Sequence, residues 1–84
     1  MQKIQIKSLD NNKYNYFLLE NKRTSINDAK SLLFKLTGEK ASTIIDESGI
    51  QATDIGFWVV KRDSSNDKFV GLINFENDND FIYL

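Results

Sequence analysis

Residues 56–75, GFWVVKRDSSNDKFVGLINF, constrain the fold of this chain more than any other stretch. Two runs rich in β-branched and aromatic residues flank the turn-forming residues 63–67, the pattern of a β-hairpin. A five-residue loop there sets Phe57 opposite Ile73, Trp58 opposite Leu72, Val59 opposite Gly71 and Val60 opposite Val70. Opposite residues share a face. One face therefore carries Phe57, Val59, Phe69, Ile73 and Phe75, with Gly71 among them. The other carries Trp58, Val60, Val70 and Leu72, flanked by Arg62 and Lys68. A hairpin wet on one side needs one apolar face, and this one has two. Each must be covered.

Gly71 suggests a cover for the first face, because a glycine inside a strand marks a place where another element comes close. The helix expected upstream is accordingly placed on the Phe57 side. Left bare, the Trp58 face would expose on the order of 400 Å², the scale at which apolar patches signify partners. Covering it is worth up to about 10 kcal/mol before ordering costs, comparable to the stability of a small domain. Two covers are open to it. One lies within the chain, at residues 39–54 or 81–84. The other is a second chain, either a target or a copy in a structural homodimer.

Along the chain, residues 3–8 alternate strictly, with Ile4 and Ile6 on one side and Lys3, Gln5 and Lys7 on the other, as in a half-wet strand. Asp10-Asn11-Asn12 has turn chemistry. Residues 13–20 form a second strand, apolar on both sides. Ser25, or Thr24 before it, suits a helix N-cap, with Asp28 in the first turn. Ile26, Ala29, Leu32, Leu33 and Leu36 make one apolar stripe, and Gly38 suits the C-terminal cap. Phe34 falls outside the stripe, so it is either sheltered by residues 39–54 or exposed. Residues 43–45 have the β-branched side chains of a short strand, Ser48-Gly49 reads as a turn, and residues 81–84 form a last strand. The expected fold is one α+β domain over residues 1–84. It is an antiparallel sheet of four to six strands, ordered ββα then (β)βββ, with one helix on one face.

Composition narrows the chemistry. There is no cysteine and no histidine, which removes thiol nucleophiles, disulfides, and the commonest metal ligand and general base. No cofactor, small-molecule substrate or catalytic constellation is indicated, and the expected reading is non-enzymatic. The opening MQKIQIKSLD is too polar for a signal peptide, and no segment is apolar enough to span a bilayer. A cytoplasmic setting is the expectation.

Charge is divided along the chain: residues 1–42 hold eight Lys/Arg and four Asp/Glu, residues 43–84 three and eight. In an extended segment Glu76, Asp78 and Asp80 would share one side, where they could steer toward a basic partner, imitate phosphates or bind a hard cation. The glycine and glutamate spacing of an EF-hand loop is absent. Lys3, Lys7 and Lys13 with Tyr14 and Tyr16 form the alternative site, for nucleic acid, by backbone electrostatics and base stacking. The leading expectation is a small protein-binding module, an inhibitor or adaptor. Trp58, Val60, Val70 and Leu72 would be its apolar anchor and Glu76, Asp78 and Asp80 its steering charges. Asn, Lys and Ile number nine each against three Ala, which points to an AT-rich coding sequence. In size, composition and lack of catalytic residues the chain resembles the small proteins of phages and mobile elements. Anti-CRISPR and other anti-defence inhibitors, which act by occupying a partner protein's surface, belong to that group.

Overall fold

The computed structural model describes residues 1–9, 13–46 and 55–84, so the turns expected at 10–12 and 48–49 lie outside the described residues. The fold is α+β, as expected. Strands β1 (Gln2–Ile6), β2 (Tyr14–Leu18) and β3 (Thr24–Ser25) precede helix α1 (Ile26–Thr37). Strands β4 (Ile44–Asp46), β5 (Ile55–Asp63), β6 (Lys68–Phe75) and β7 (Phe81–Tyr83) follow it. The sheet runs β4-β6-β5-β2-β1-β7, and β3 pairs separately with β5. Pairing is antiparallel except between β4 and β6, which are parallel, with Ile44 beside Leu72.

The caps fall where the sequence places them. Ser25 Oγ accepts the Asp28 N–H at 3.3 Å. Gly38, at φ 76°, donates its N–H to Phe34 O at 2.8 Å, a left-handed position that glycine occupies without a Cβ penalty. Of the helix stripe, Ala29 and Leu33 are fully buried and Ile26 and Leu32 partly so. Leu36 was expected in that stripe but is 51% exposed, because it lies in the last turn; Phe34 is 52% exposed.

The β5–β6 hairpin closes through a four-residue turn, not five. Asp67 takes the left-handed region at φ 55° and donates its N–H to Asp63 O at 2.8 Å. The Asp63 carboxylate accepts the Ser65 hydroxyl and N–H at 2.7 and 2.9 Å. Those bonds hold its pKa below the usual aspartate range. The register differs from expectation by two positions: Phe57 faces Phe75, Trp58 Asn74, Val59 Ile73 and Val60 Leu72. An even shift keeps every side chain on its face, so the two-faced reading survives it. Toward the turn, a bulge between Lys61 and Arg62 passes over Val70 and sets Phe69 opposite Arg62. That extra residue turns Phe69 onto the Trp58 face, against expectation.

The larger correction concerns the helix, which covers the Trp58 face. Leu19, Ala29, Leu33, Trp58, Val60 and Leu72 form one core. The cause is the path of the chain into α1. Strand β3 runs beside the start of β5, with Thr24 next to Gly56 and Ser25 next to Ile55. The indole N–H of Trp58 donates to Thr24 O at 2.8 Å, tying the helix entrance to that face. Gly71 instead lies opposite Lys61 on the other face. Close approach occurs at Gly56, where an added Cβ would stand 2.6 Å from Phe75 O and 2.7 Å from the Asn74 amide nitrogen.

The opposite face is covered by the sheet itself. Ile4, Ile6, Tyr16, Leu18, Val59, Ile73, Phe75 and Phe81 form a second core. Phe81 belongs to β7, four places from β6 in the strand order. Yet its ring meets Phe75 edge-on at 5.1 Å and Phe57 at 6.2 Å. The sheet therefore curls until its β7 end faces the hairpin.

Candidate functional site

The expected apolar anchor is not at the surface. Trp58 is 2% exposed and Val60 and Leu72 are fully buried, while Val70, beside the bulge, is half-buried. The face is covered within the chain, but by helix α1, which was expected on the opposite side; of the covers expected, Ala41 and Ile44 add to the helix and Phe81 lies in the other core. Three of the four side chains are thereby withdrawn from any partner's reach. Nor do the acidic residues line one side of an extended segment. Asp78–Asp80 forms a single turn of 3₁₀ helix, in which residues two apart point in different directions. Glu76 and Asp78 are exposed and Asp80 is half-buried. The Glu76 carbonyl accepts a bond from Arg23 Nη1 at 3.1 Å. Among the described residues no group of three carboxylates is placed to hold a metal ion.

The alternative site divides between two faces. Ile4 pairs with Tyr16 and Lys3 with Phe17, so Tyr16 points into the curled core while Lys3 points outward. Tyr16 is buried, and burial with Tyr14 nearby raises its phenol pKa. Tyr14 is half-buried, with Lys61 Nζ 4.0 Å and Lys13 Nζ 5.7 Å from its ring centroid. Lys3, Lys7 and Lys13 are exposed, and the ring opposite Lys3 is that of half-buried Phe17, not Tyr14 or Tyr16. Stacking on Tyr14 would have to displace Lys61, an arrangement worth about 0.5–1 kcal/mol or more. The two halves of the sequence interleave in the sheet, with β2 against β5 and β1 against β7.

The surface offers two other apolar features. One is a groove of about 410 Å³, lined by Leu32 and Ile55 and rimmed by Glu20, Lys22, Arg23 and Asp28. The other is the edge made by β7. Lys7 N–H bonds to Asp80 O at 2.9 Å and Leu84 N–H to Lys3 O at 3.4 Å. Antiparallel ladders alternate, so the Asp80 carbonyl and the main-chain groups of Ile82 and Leu84 turn toward β1, while the Asp80 N–H bonds Asn77 O at 3.3 Å. Tyr83 and the Phe81 carbonyl then turn to the open side, where no described strand follows, while the Phe81 N–H closes the 3₁₀ turn on Asp78 O. Ile82 and Tyr83 are each 43% exposed and Leu84 67%. The Tyr83 hydroxyl donates to Asn21 Oδ1 at 3.4 Å, holding the ring beside the strand. Lys3, Gln5 and Lys7 continue the outer face on β1. The sequence reading found a last strand at residues 81–84 but missed its edge position. Residues 81–84 carry no lysine or proline of the kind that commonly guards an edge, so nothing local signalled that position.

No family model, curated protein or solved structure matches the chain. No helix among the described residues is long and apolar enough to cross a membrane.

Proposed function

We propose that this chain is a small, non-enzymatic protein-binding module, an inhibitor or adaptor, that takes an extended segment of another polypeptide at the open edge of β7. One observation carries the reading: among the described residues no strand takes up the Tyr83 N–H or the Phe81 and Tyr83 carbonyls, beside exposed Ile82 and Leu84. Strand addition uses those two ingredients, main-chain bonds for affinity and alternate side chains for selectivity. Lys3 and Lys7 on the neighbouring strand favour a segment with acidic residues on its outer face. The absence of histidine and cysteine from the sequence supports a role in occupying a surface over one in catalysis. The phage or mobile-element setting and the cytoplasmic location belong to this proposal and rest on composition.

The test is selection from a displayed library of random dodecapeptides, followed by amide exchange on the bound complex. Binders are expected to alternate apolar and polar residues, to slow exchange at the Tyr83 amide, and to lose affinity for Tyr83→Pro. Binders that protect other amides and ignore that substitution would sink the reading.

A further inference from the structure

We propose that residues 76–84 form a latch. Strand β7 leaves β1 as a unit while the rest of the fold stays assembled, and its vacated seat accepts an extended segment of a partner protein carrying an acidic residue followed by an aromatic one. The seat lies beneath β7 and is distinct from its open edge.

Little holds the segment down. β7 pairs with β1 over three positions, whereas β5 and β6 pair over seven. Its last two residues are tethered by long bonds, Leu84 N–H to Lys3 O and the Tyr83 hydroxyl to Asn21 Oδ1, each at 3.4 Å. Residues 76–79 are exposed. The two bonds of the 3₁₀ turn, Asp80 N–H to Asn77 O and Phe81 N–H to Asp78 O, lie inside the segment and travel with it. Phe81 is the one buried side chain of β7. The residues packed with it, among them Ile6, Val59, Ile73 and Phe75, sit on strands that stay paired with one another when β7 leaves. Phe81 takes no part in the core under the helix. An element with one buried anchor and few shielded bonds opens at far less cost than the whole fold.

Opening bares two features side by side. One is the outer ladder of β1. The other is the seat of the Phe81 ring, between Phe75 at 5.1 Å and Phe57 at 6.2 Å. Main-chain bonds to the first and a ring in the second are what an added strand requires. The resident strand shows the pattern that fits: Asp80 beside Lys7, Phe81 opposite Ile6 and exposed Ile82 opposite Gln5. Lys3 and Lys7, both exposed, favour an acidic residue on the outer face of the incoming segment.

Native-state amide exchange on the wild type, combined with titration of a labelled peptide of residues 78–84 onto full-length Phe81→Ala, tests this. The Lys7 and Leu84 amides are expected to exchange through an opening that urea scarcely affects, well before the β5–β6 ladder. Phe81→Ala keeps native Trp58 emission and binds the peptide at least about tenfold more tightly than the wild type, whose own β7 competes at an effective concentration on the order of millimolar. The same peptide with Phe81→Ala does not bind. Exchange of Lys7 and Leu84 only on global unfolding, or loss of native Trp58 emission in Phe81→Ala, would show that β7 does not open alone and overturn the latch. Equal binding of the two peptides, or equal binding to the two proteins, would place the peptide elsewhere and overturn the seat. If sedimentation shows a wild-type dimer that the peptide dissociates, the occupant is β7 of a second copy and the partner segment falls.

Discussion

The two apolar faces of the β5–β6 hairpin are buried by different means. On the Trp58 side a local element does the work: α1 lies over the sheet, entered through β3 and tied down by Trp58. On the Val59 side no helix takes part. The sheet bends until β7 reaches back to Phe57 and Phe75. One core is assembled from an amphipathic helix, whose stripe is visible in the sequence. The other depends on curvature, and on a three-residue strand whose Phe81 is its only fully buried side chain. The first core contains redundancy along the helix. The second is concentrated at one ring.

Substitutions can break that contrast. Phe81→Ala is expected to cost about 3–5 kcal/mol, read as a lowered urea midpoint, with native Trp58 emission unchanged because the helix side stays assembled. Leu33→Ala on the helix side is expected to cost about 2–5 kcal/mol and to redden or broaden that emission. If Phe81→Ala shifts Trp58 emission as strongly as Leu33→Ala, the two cores are not separable. Gly56→Ala forces a Cβ against the Phe75 carbonyl, an overpacking worth about 1–3 kcal/mol. Thermal melts of this variant measure how rigidly β5 is held to β6. Trp58→Phe keeps most of the ring but orphans Thr24 O, at about 1–2 kcal/mol. Amide exchange should then quicken first at Thr24, Ser25 and the first turn of α1.

A smaller effect concerns pH on the curled side. Burial favours the neutral phenol of Tyr16, so its folded pKa exceeds its unfolded one. The associated stability is complete below about pH 10 and fades as pH rises through the folded value. Alkaline absorbance titration should show Tyr16 ionising above the usual tyrosine range, and Tyr16→Phe should remove that component.

How much of this was legible in the sequence varies by element. Strand alternation identified the hairpin and its two faces, and local chemistry identified Ser25 and Gly38 as caps. These rest on neighbouring residues. The side on which the helix sits depends on β3, two residues long and lacking any pattern of its own. Its deciding bond joins Trp58 to Thr24, 34 positions away. Gly71 misled as a marker for the helix, which lies on the other face, while the close approach at Gly56 went unread. The bulge that turns Phe69 over adjoins Gly71, and a strand glycine marks bulges as well as close approaches. For the candidate site, the role of residues 81–84 as a strand was readable; its place at the open edge was not, because strand order is a non-local property.

Pairing β1 with β7 makes neighbours of segments some 75 positions apart, Ile6 beside Phe81. On the ribosome, β1 and β2 emerge early, yet the outer flank of β1 waits for residues 81–83 before it has a partner. Until then Lys3, Gln5 and Lys7 present the ladder groups later taken by β7, with two lysines to discourage mispairing. Closing so long a loop delays the last step of folding relative to the helix and hairpin. The nascent chain therefore carries a temporary edge on β1, and in the finished one that end of the sheet passes to β7.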